Sequence, residues 1–261
     1  MIRLIEALSP ALAFFCARDV IAARIYASMQ SYGFGQNTAQ FWVQEDMRGE
    51  ISTLFSLIDG HALLFAAENA DVEELAVFLR MLDWRLLHCG KEMARRLALN
   101  IESEGCVMRF AQARRAMPPG FHIKETREFD AVYDMLEACG FSALGDRSLW
   151  MADLALRCRR GTAQPYFLCE ESGKHVGTVS AAAVTKAHAF LGGVGILPET
   201  RGKGLGGFLV TSVAHGQQAQ GREVTLFCRS GVEEFYTRIG FVRAGTYCVI
   251  MKEIESDRGI V

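Results

Sequence analysis

The segment Gly193-Val194-Gly195-Ile196-Leu197-Pro198-Glu199-Thr200-Arg201-Gly202-Lys203-Gly204-Leu205-Gly206-Gly207 narrows most what this chain can fold into. An apolar strand runs out at Pro198, a glycine-dense turn follows, and a helix opens with the apolar stripe Phe208, Leu209 and Val213. Glycines let a backbone turn its N–H groups inward and let a ligand come close. A helix N-terminus adds unpaired N–H donors and a partial positive charge. A strand, turn and helix of this kind make an anion site suited to a pyrophosphate. Arg201 and Lys203 would add charge-assisted contacts.

Several phosphate-loop readings compete for this stretch. A Walker A loop fails, because Lys203 is preceded by Leu197 where glycine is required and followed by Gly204 where Ser or Thr is required. A dinucleotide fingerprint is met literally by Gly202, Gly204 and Gly207, but the next strand ends in Cys228-Arg229 rather than in an acid that would hold a ribose. A glycine turn without a ligand is the plainest alternative.

Composition bounds the rest. Half of the residues are hydrophobic and 22% are charged, which excludes wholesale disorder. The formal net charge is −2, which argues against a broad nucleic-acid surface. The eight cysteines form no CxxC pair, and neither they nor the histidines show metal-ligand spacing, so no metal is expected. They read as buried free thiols in a reducing compartment. Charges at Arg3, Glu6, Arg18 and Asp19 interrupt any leader-like apolar run, and no stretch has the length of a membrane span. A cytoplasmic protein with neither a membrane nor a nucleic-acid partner is expected; oligomeric state is not legible.

The 261 residues allow one large domain or two ordinary ones. Met117-Pro118-Pro119-Gly120, after Arg114-Arg115, suggests a break, giving an N-terminal domain over 1–118 and a C-terminal one over 121–254. A gap-free repeat supports two halves: Phe41 to Asp46 and Glu50 to Phe55 match Tyr166 to Glu171 and His175 to Ser180 at an offset of 125, with Glu45/Glu170 and Thr53/Thr178 identical. Both stretches read as hairpins. Helical spacing is read over 9–29 and 71–99, where Leu75, Phe78, Leu79, Leu82 and Leu86 share a face and Asp71 caps the start. In the second half the pattern predicts strands over 122–125, 148–156, 188–197, 223–228 and 243–252, a hairpin over 165–184, and helices over 129–139, 204–220 and 232–239. The residues from 255 to 261 read as a polar tail.

Leu197 to Gly206 resembles the acetyl-CoA signature of the GCN5-related N-acetyltransferase (GNAT) family, whose Arg/Gln-x-x-Gly-x-Gly/Ala pattern is met by Arg201, Gly204 and Gly206. A second segment, Phe235-Tyr236-Thr237-Arg238-Ile239-Gly240-Phe241, resembles the family's (Leu/Phe)-Tyr-x-x-x-Gly-Phe stretch. The resemblance covers roughly residues 121–254 and extends to the first half only as a degenerate copy without the glycine loop. It implies an α/β fold of two GNAT-like lobes, each a mixed, mostly antiparallel sheet flanked by helices.

It also implies acetyl-CoA as co-substrate and direct transfer of an acetyl group to a primary amine on a small molecule or peptide. By the resemblance, backbone groups of Val194, Ile196 and Leu197 would meet the pantetheine arm, one N–H polarising the thioester carbonyl. Backbone N–H groups of Gly202, Lys203, Gly204, Leu205, Gly206 and Gly207, with Arg201, would hold the pyrophosphate. Tyr236 matches the family's general acid, and Arg229 stands where an Asn is usual. No general base is legible; His188, Glu170 and Glu171 are candidates beside a water relay. In two-lobed relatives the acceptor lies between lobes, which makes the loop-like stretch 31–40 a candidate lining. A non-catalytic CoA-binding or interaction module is the alternative.

Overall fold

The computed structural model describes residues 1–112, 118–142 and 144–252. The expected basic pair Arg114-Arg115, Met117 and the polar tail lie outside them. In chain order the elements are β1 (Ile2–Leu4), α1 (Pro10–Cys16), α2 (Val20–Tyr32), β2 (Ala39–Glu45), β3 (Ile51–Ile58), β4 (His61–Ala66), α3 (Val72–Met81), β5 (Leu86–Gly90), α4 (Lys91–Arg96) and β6 (Ser103–Phe110). Then come β7 (Phe121–Glu125), α5 (Phe129–Ala138), α6 (Arg147–Arg159), β8 (Gln164–Glu170), β9 (His175–Val184), β10 (His188–Ile196), α7 (Leu205–Gln218), β11 (Glu223–Arg229), α8 (Glu233–Arg238) and β12 (Phe241–Met251).

The chain forms two compact units, and they do not follow a single cut. The first holds Met1–Ile25, Phe34–Gly105 and the stretch from Thr246 onward; the second holds Tyr26–Gly33 and Cys106–Gly245. In place of the expected break at Pro118-Pro119, the chain crosses at Gly105 and returns at Thr246. The reason is pairing. Tyr247–Met251 of β12 lie antiparallel to Leu86–Gly90 of β5, inside the first unit.

Within the first unit β1, β2, β3 and β4 pair antiparallel in sequence order, and β4 then pairs parallel with β5. Within the second unit β7, β8, β9 and β10 do the same, and β10 pairs parallel with β11. Each unit is thus the expected mixed, mostly antiparallel sheet, and the pairing pattern is the same in both. The sequence offset of 125 is not the structural one. The β2–β3 ladder carries its bulge after the pair Gln44–Thr53, and the β8–β9 ladder after Leu168–Gly177, an offset of 124. Thr178 therefore does not occupy the ladder position of Thr53. A one-residue slip in a strand exchanges its two faces, and a gap-free match by residue character cannot see it.

Two regions differ from their expected type. Residues 148–156, expected as a strand, belong to helix α6, whose start is capped by the Asp146 carboxylate accepting from Leu149 N–H at 2.9 Å. Arg157 and Asp153 reinforce it one turn apart. The single helix expected over 71–99 stops at Leu82, and Leu86 opens strand β5 beside β4. Helical spacing over a short apolar run does not distinguish the two, and pairing with β4 decided it.

Strand alternation sets the core of the second unit. Leu168 of β8 faces a cluster with Leu205, Leu209, Val210 and Val213 of α7. Its neighbours Phe167 and Cys169 face Val132, Leu136, Leu154 and Cys158 of α5 and α6. Helices therefore cover both faces of this sheet. All eight cysteines are free, and seven are buried, as the sequence reading expected. Among the described residues no helix is long and apolar enough to cross a membrane.

Candidate acyl-transfer site

The site begins where two parallel strands part. β10 and β11 are in register from His188–Glu223 to Leu191–Leu226, and there the pairing stops although both strands continue. A bulge between Gly192 and Gly195 turns β10 away, with Gly193 at φ 61° in the left-handed region that favours glycine. A cavity of about 540 Å³ opens at the fork, lined by Leu191, Gly193, Val194, Leu226, Cys228, Arg229 and Tyr236, among others. The end of α5 closes one side. Gly195 has no side chain because Cys139 lies against it: a Cβ there would come within 2.8 Å of the Cys139 Sγ.

The bulge also sorts the backbone groups of β10. Leu197 N–H donates to the Val176 carbonyl at 3.0 Å, so the alternation of an antiparallel ladder turns the groups of Gly195 and Leu197 toward β9. Those of Val194 and Ile196 then face the opposite side. Of the three residues expected to meet the pantetheine arm, Val194 and Ile196 thus turn their N–H groups away from β9, while the Ile196 carbonyl accepts from Arg201 Nε at 3.0 Å. Leu197, the third, turns its N–H toward β9, and its carbonyl accepts from Thr200 N–H at 2.9 Å and from the Thr200 hydroxyl at 3.0 Å.

After one 3-10 turn over Pro198–Thr200, Gly204 precedes α7 at φ 74°, ψ 1°. No side chain caps this helix and its first turn carries no acid, so the N–H groups of Leu205, Gly206 and Gly207 are presented without a protein acceptor of their own at the cap. Lys203 is exposed beside them. Arg201 differs from its expected use. Its Nε donates to the Ile196 carbonyl at 3.0 Å and its Nη2 to the Cys139 carbonyl at 3.1 Å. Two of its donors tie the end of β10 to the end of α5, which makes it a positioning residue for the loop.

The corresponding helix of the first unit is built against an anion. Its start carries Asp71, Glu73 and Glu74, and the Asp71 carboxylate accepts from Glu74 N–H at 3.0 Å, as the sequence suggested for the cap. The buried Gln44 clamps this turn. Its Nε2 donates to the Asp71 carbonyl at 3.0 Å and to Glu74 Oε2 at 2.9 Å. Its Oε1 accepts from Asp71 N–H at 3.1 Å and from Ser52 and Thr53, each at 3.0 Å. The place that glycines leave open in the second unit is filled here by carboxylates and an amide.

Tyr236 of α8 is buried, edge-on to Phe235 and Phe241 at 5.0 and 5.6 Å between ring centres. Burial, with the neighbouring Cys228, pushes its phenol up to about 12. Its hydroxyl therefore keeps its proton at neutral pH. Burial also raises the Cys139 thiol, against a smaller opposite effect of Arg201, so it is not a thiolate nucleophile. No carboxylate or imidazole lines the cavity among the described residues. His188 sits at the other end of β10, paired in register with Glu223, about 20 Å along the strand from Val194. Glu170 stands at the β8–β9 turn, where Gly173 N–H donates to its carbonyl at 2.9 Å. Ser31 and Tyr32, expected in a loop, form the end of α2. There the Ser31 and Thr162 hydroxyls are 2.6 Å apart and the Tyr32 hydroxyl donates to Asp153.

Comparison with known proteins agrees with this geometry. The model of the acetyltransferase (GNAT) family matches residues 129–241. No curated protein matches the chain in sequence. Among solved structures, a Drosophila protein is similar with a TM-score of 0.67 at 15% identity, over 96% of this chain and 98% of its own. A GCN5-related N-acetyltransferase from Sphaerobacter thermophilus gives 0.61 at 17% identity, over 97% and 95%. A tandem GNAT protein from the clavulanic acid biosynthesis pathway gives 0.59 at 14%, over 98% and 100%. At these identities the likeness is one of fold, and it runs along both units. Residues 129–241, which hold the forked strands, the uncapped glycine turn and Tyr236, are the stretch of this chain that matches the acetyltransferase (GNAT) family.

Proposed function

We propose that this chain is an acetyl-CoA-dependent N-acetyltransferase that moves the acetyl group directly to a primary amine. The observation that carries this reading is the fork of β10 and β11 opening beside an uncapped, glycine-lined helix N-terminus, with Tyr236 in its wall. Bound acetyl-CoA would supply an activated acyl group as a thioester. The N–H groups of Leu205, Gly206 and Gly207, with Lys203, suit its pyrophosphate. The Val194 and Ile196 N–H groups, which face away from β9, suit the pantetheine arm, and one of them can polarise an acyl carbonyl. Tyr236 Oη holds the proton that a departing sulfur needs. Leu191, Leu226 and Phe227 give the cavity an apolar wall.

The amine must arrive neutral or lose its proton to water, since among the described residues no carboxylate or imidazole lines the cavity to take it. That same feature favours the second reading, a CoA-binding module without turnover. The acceptor is a small molecule or a peptide, with no nucleic-acid or membrane partner, in a reducing cytoplasm that suits eight free thiols. Acetyl-CoA titration followed by thiol release in the presence of an amine panel tests the proposal. Amine-dependent release supports transfer. Tight binding without release to any amine favours the module, and absence of binding rejects both.

A further inference from the structure

Arg229 is the sole charged side chain lining the cavity among the described residues. It ends β11, just where the strand outruns its pairing with β10. Its side chain makes no ion pair or hydrogen bond to the described residues. The nearby acids do not neutralise it: Glu233 pairs with Arg243 at 3.7 Å and Glu234 with Arg238 at 3.9 Å. The remaining walls are apolar or weakly polar, with Phe141, Leu144, Leu226 and Val232 among them.

Arg229 is exposed, and a permanent positive charge on the wall of an otherwise uncharged cavity repels an ammonium and attracts an anion, though solvent screens it. An amine acceptor entering here is favoured in its neutral form, which supplies in part what a missing base would do. A carboxylate on the same acceptor would meet the planar guanidinium fork, which matches it in two parallel hydrogen bonds. We infer that Arg229 is a specificity-determining residue for the acceptor, and that the acceptor is an amine with a compact apolar body and a carboxylate. This inference rests on the proposed acetyl transfer for its name, though not for its test.

Two pairs of probes differ only in the carboxylate: 4-aminobenzoate against aniline, and phenylalanine against phenethylamine. Each is titrated calorimetrically into the protein saturated with coenzyme A. The wild type is expected to bind at least one carboxylate member about tenfold tighter than its partner, the scale of one charge-assisted contact. Arg229→Gln is expected to abolish that preference, and Arg229→Lys to keep part of it. Equal or absent binding of both members in each pair overturns the inference. So does a weakening of coenzyme A itself by Arg229→Gln with the carboxylate preference intact, which would make Arg229 a cofactor-phosphate ligand. Should the Arg229-dependent preference appear without any thiol release from acetyl-CoA, the carboxylate site stands and the proposed acetyl transfer falls.

Discussion

Arg201 Nε donates to the Ile196 carbonyl at 3.0 Å, five residues back along the chain, while its Nη2 reaches the Cys139 carbonyl at 3.1 Å. One guanidinium thus fixes the exit of β10 against the C-terminus of α5, and with it the start of the glycine turn. A lysine has no such fork. Arg201→Ala and Arg201→Lys are both expected to raise the dissociation constant for acetyl-CoA about tenfold, the worth of roughly one charge-assisted hydrogen bond. Calorimetric titration checks this. A lysine variant with wild-type affinity would mean that the charge matters and the fork does not.

Tyr236 should act in the chemical step and not in binding. Tyr236→Phe keeps the ring that packs on Phe235 and Phe241 and removes only the hydroxyl. Turnover at saturating substrate should fall about 100-fold, with acetyl-CoA affinity near wild type. Because the phenol is held up near 12, the wild-type rate should show no alkaline fall from this group below about pH 11. Steady-state kinetics across pH measure both.

One acetyl-CoA should bind per chain, in the second unit. Gly204→Glu forces a side chain into a backbone at φ 74° and places a carboxylate at the helix start, as Asp71 does in the first unit. Strain of about 1 kcal/mol and the reversed charge should weaken acetyl-CoA tenfold or more. A titration endpoint of two sites, or an unaffected mutant, would contradict the contrast between the two helix starts.

His88 of β5 makes the first unit sensitive to acid. Burial, then the charges of Arg24 and His61, lowers its imidazole from 6.5 to about 4. Between these values the unfolded chain is protonated and the folded chain is not. The stability it supports is whole above pH 6.5 and is lost as pH falls toward 4, by about 3 kcal/mol in all. Denaturant unfolding of His88→Phe should show a shallower decline between pH 7 and pH 4.5 than the wild type, whatever its absolute stability.

Much of the candidate site was legible in order along the chain. The strand, turn and helix from Gly193 to Gln218 needed only local patterns: an apolar run, proline at its end, clustered glycines and a helical stripe. Asp71 was recognisable as a cap for the same reason. The hydrogen bonds of Arg201, the pairing of the Leu197 N–H with β9 and the remoteness of His188 were not legible. Each depends on a partner distant in sequence: Cys139, Val176 and Glu223.

By itself the sequence determined element type wherever periodicity and end signals agreed, as at α5, β10, α7 and β11, and it determined that the chain has two similar halves. Tertiary structure decided the rest. It made 147–159 a helix and 86–90 a strand, moved the repeat offset to 124, and gave the end of β12 to the first unit. The physical reason is that backbone hydrogen bonds of a strand are made to another segment, so register, bulges and strand ownership exist only once both partners are in place.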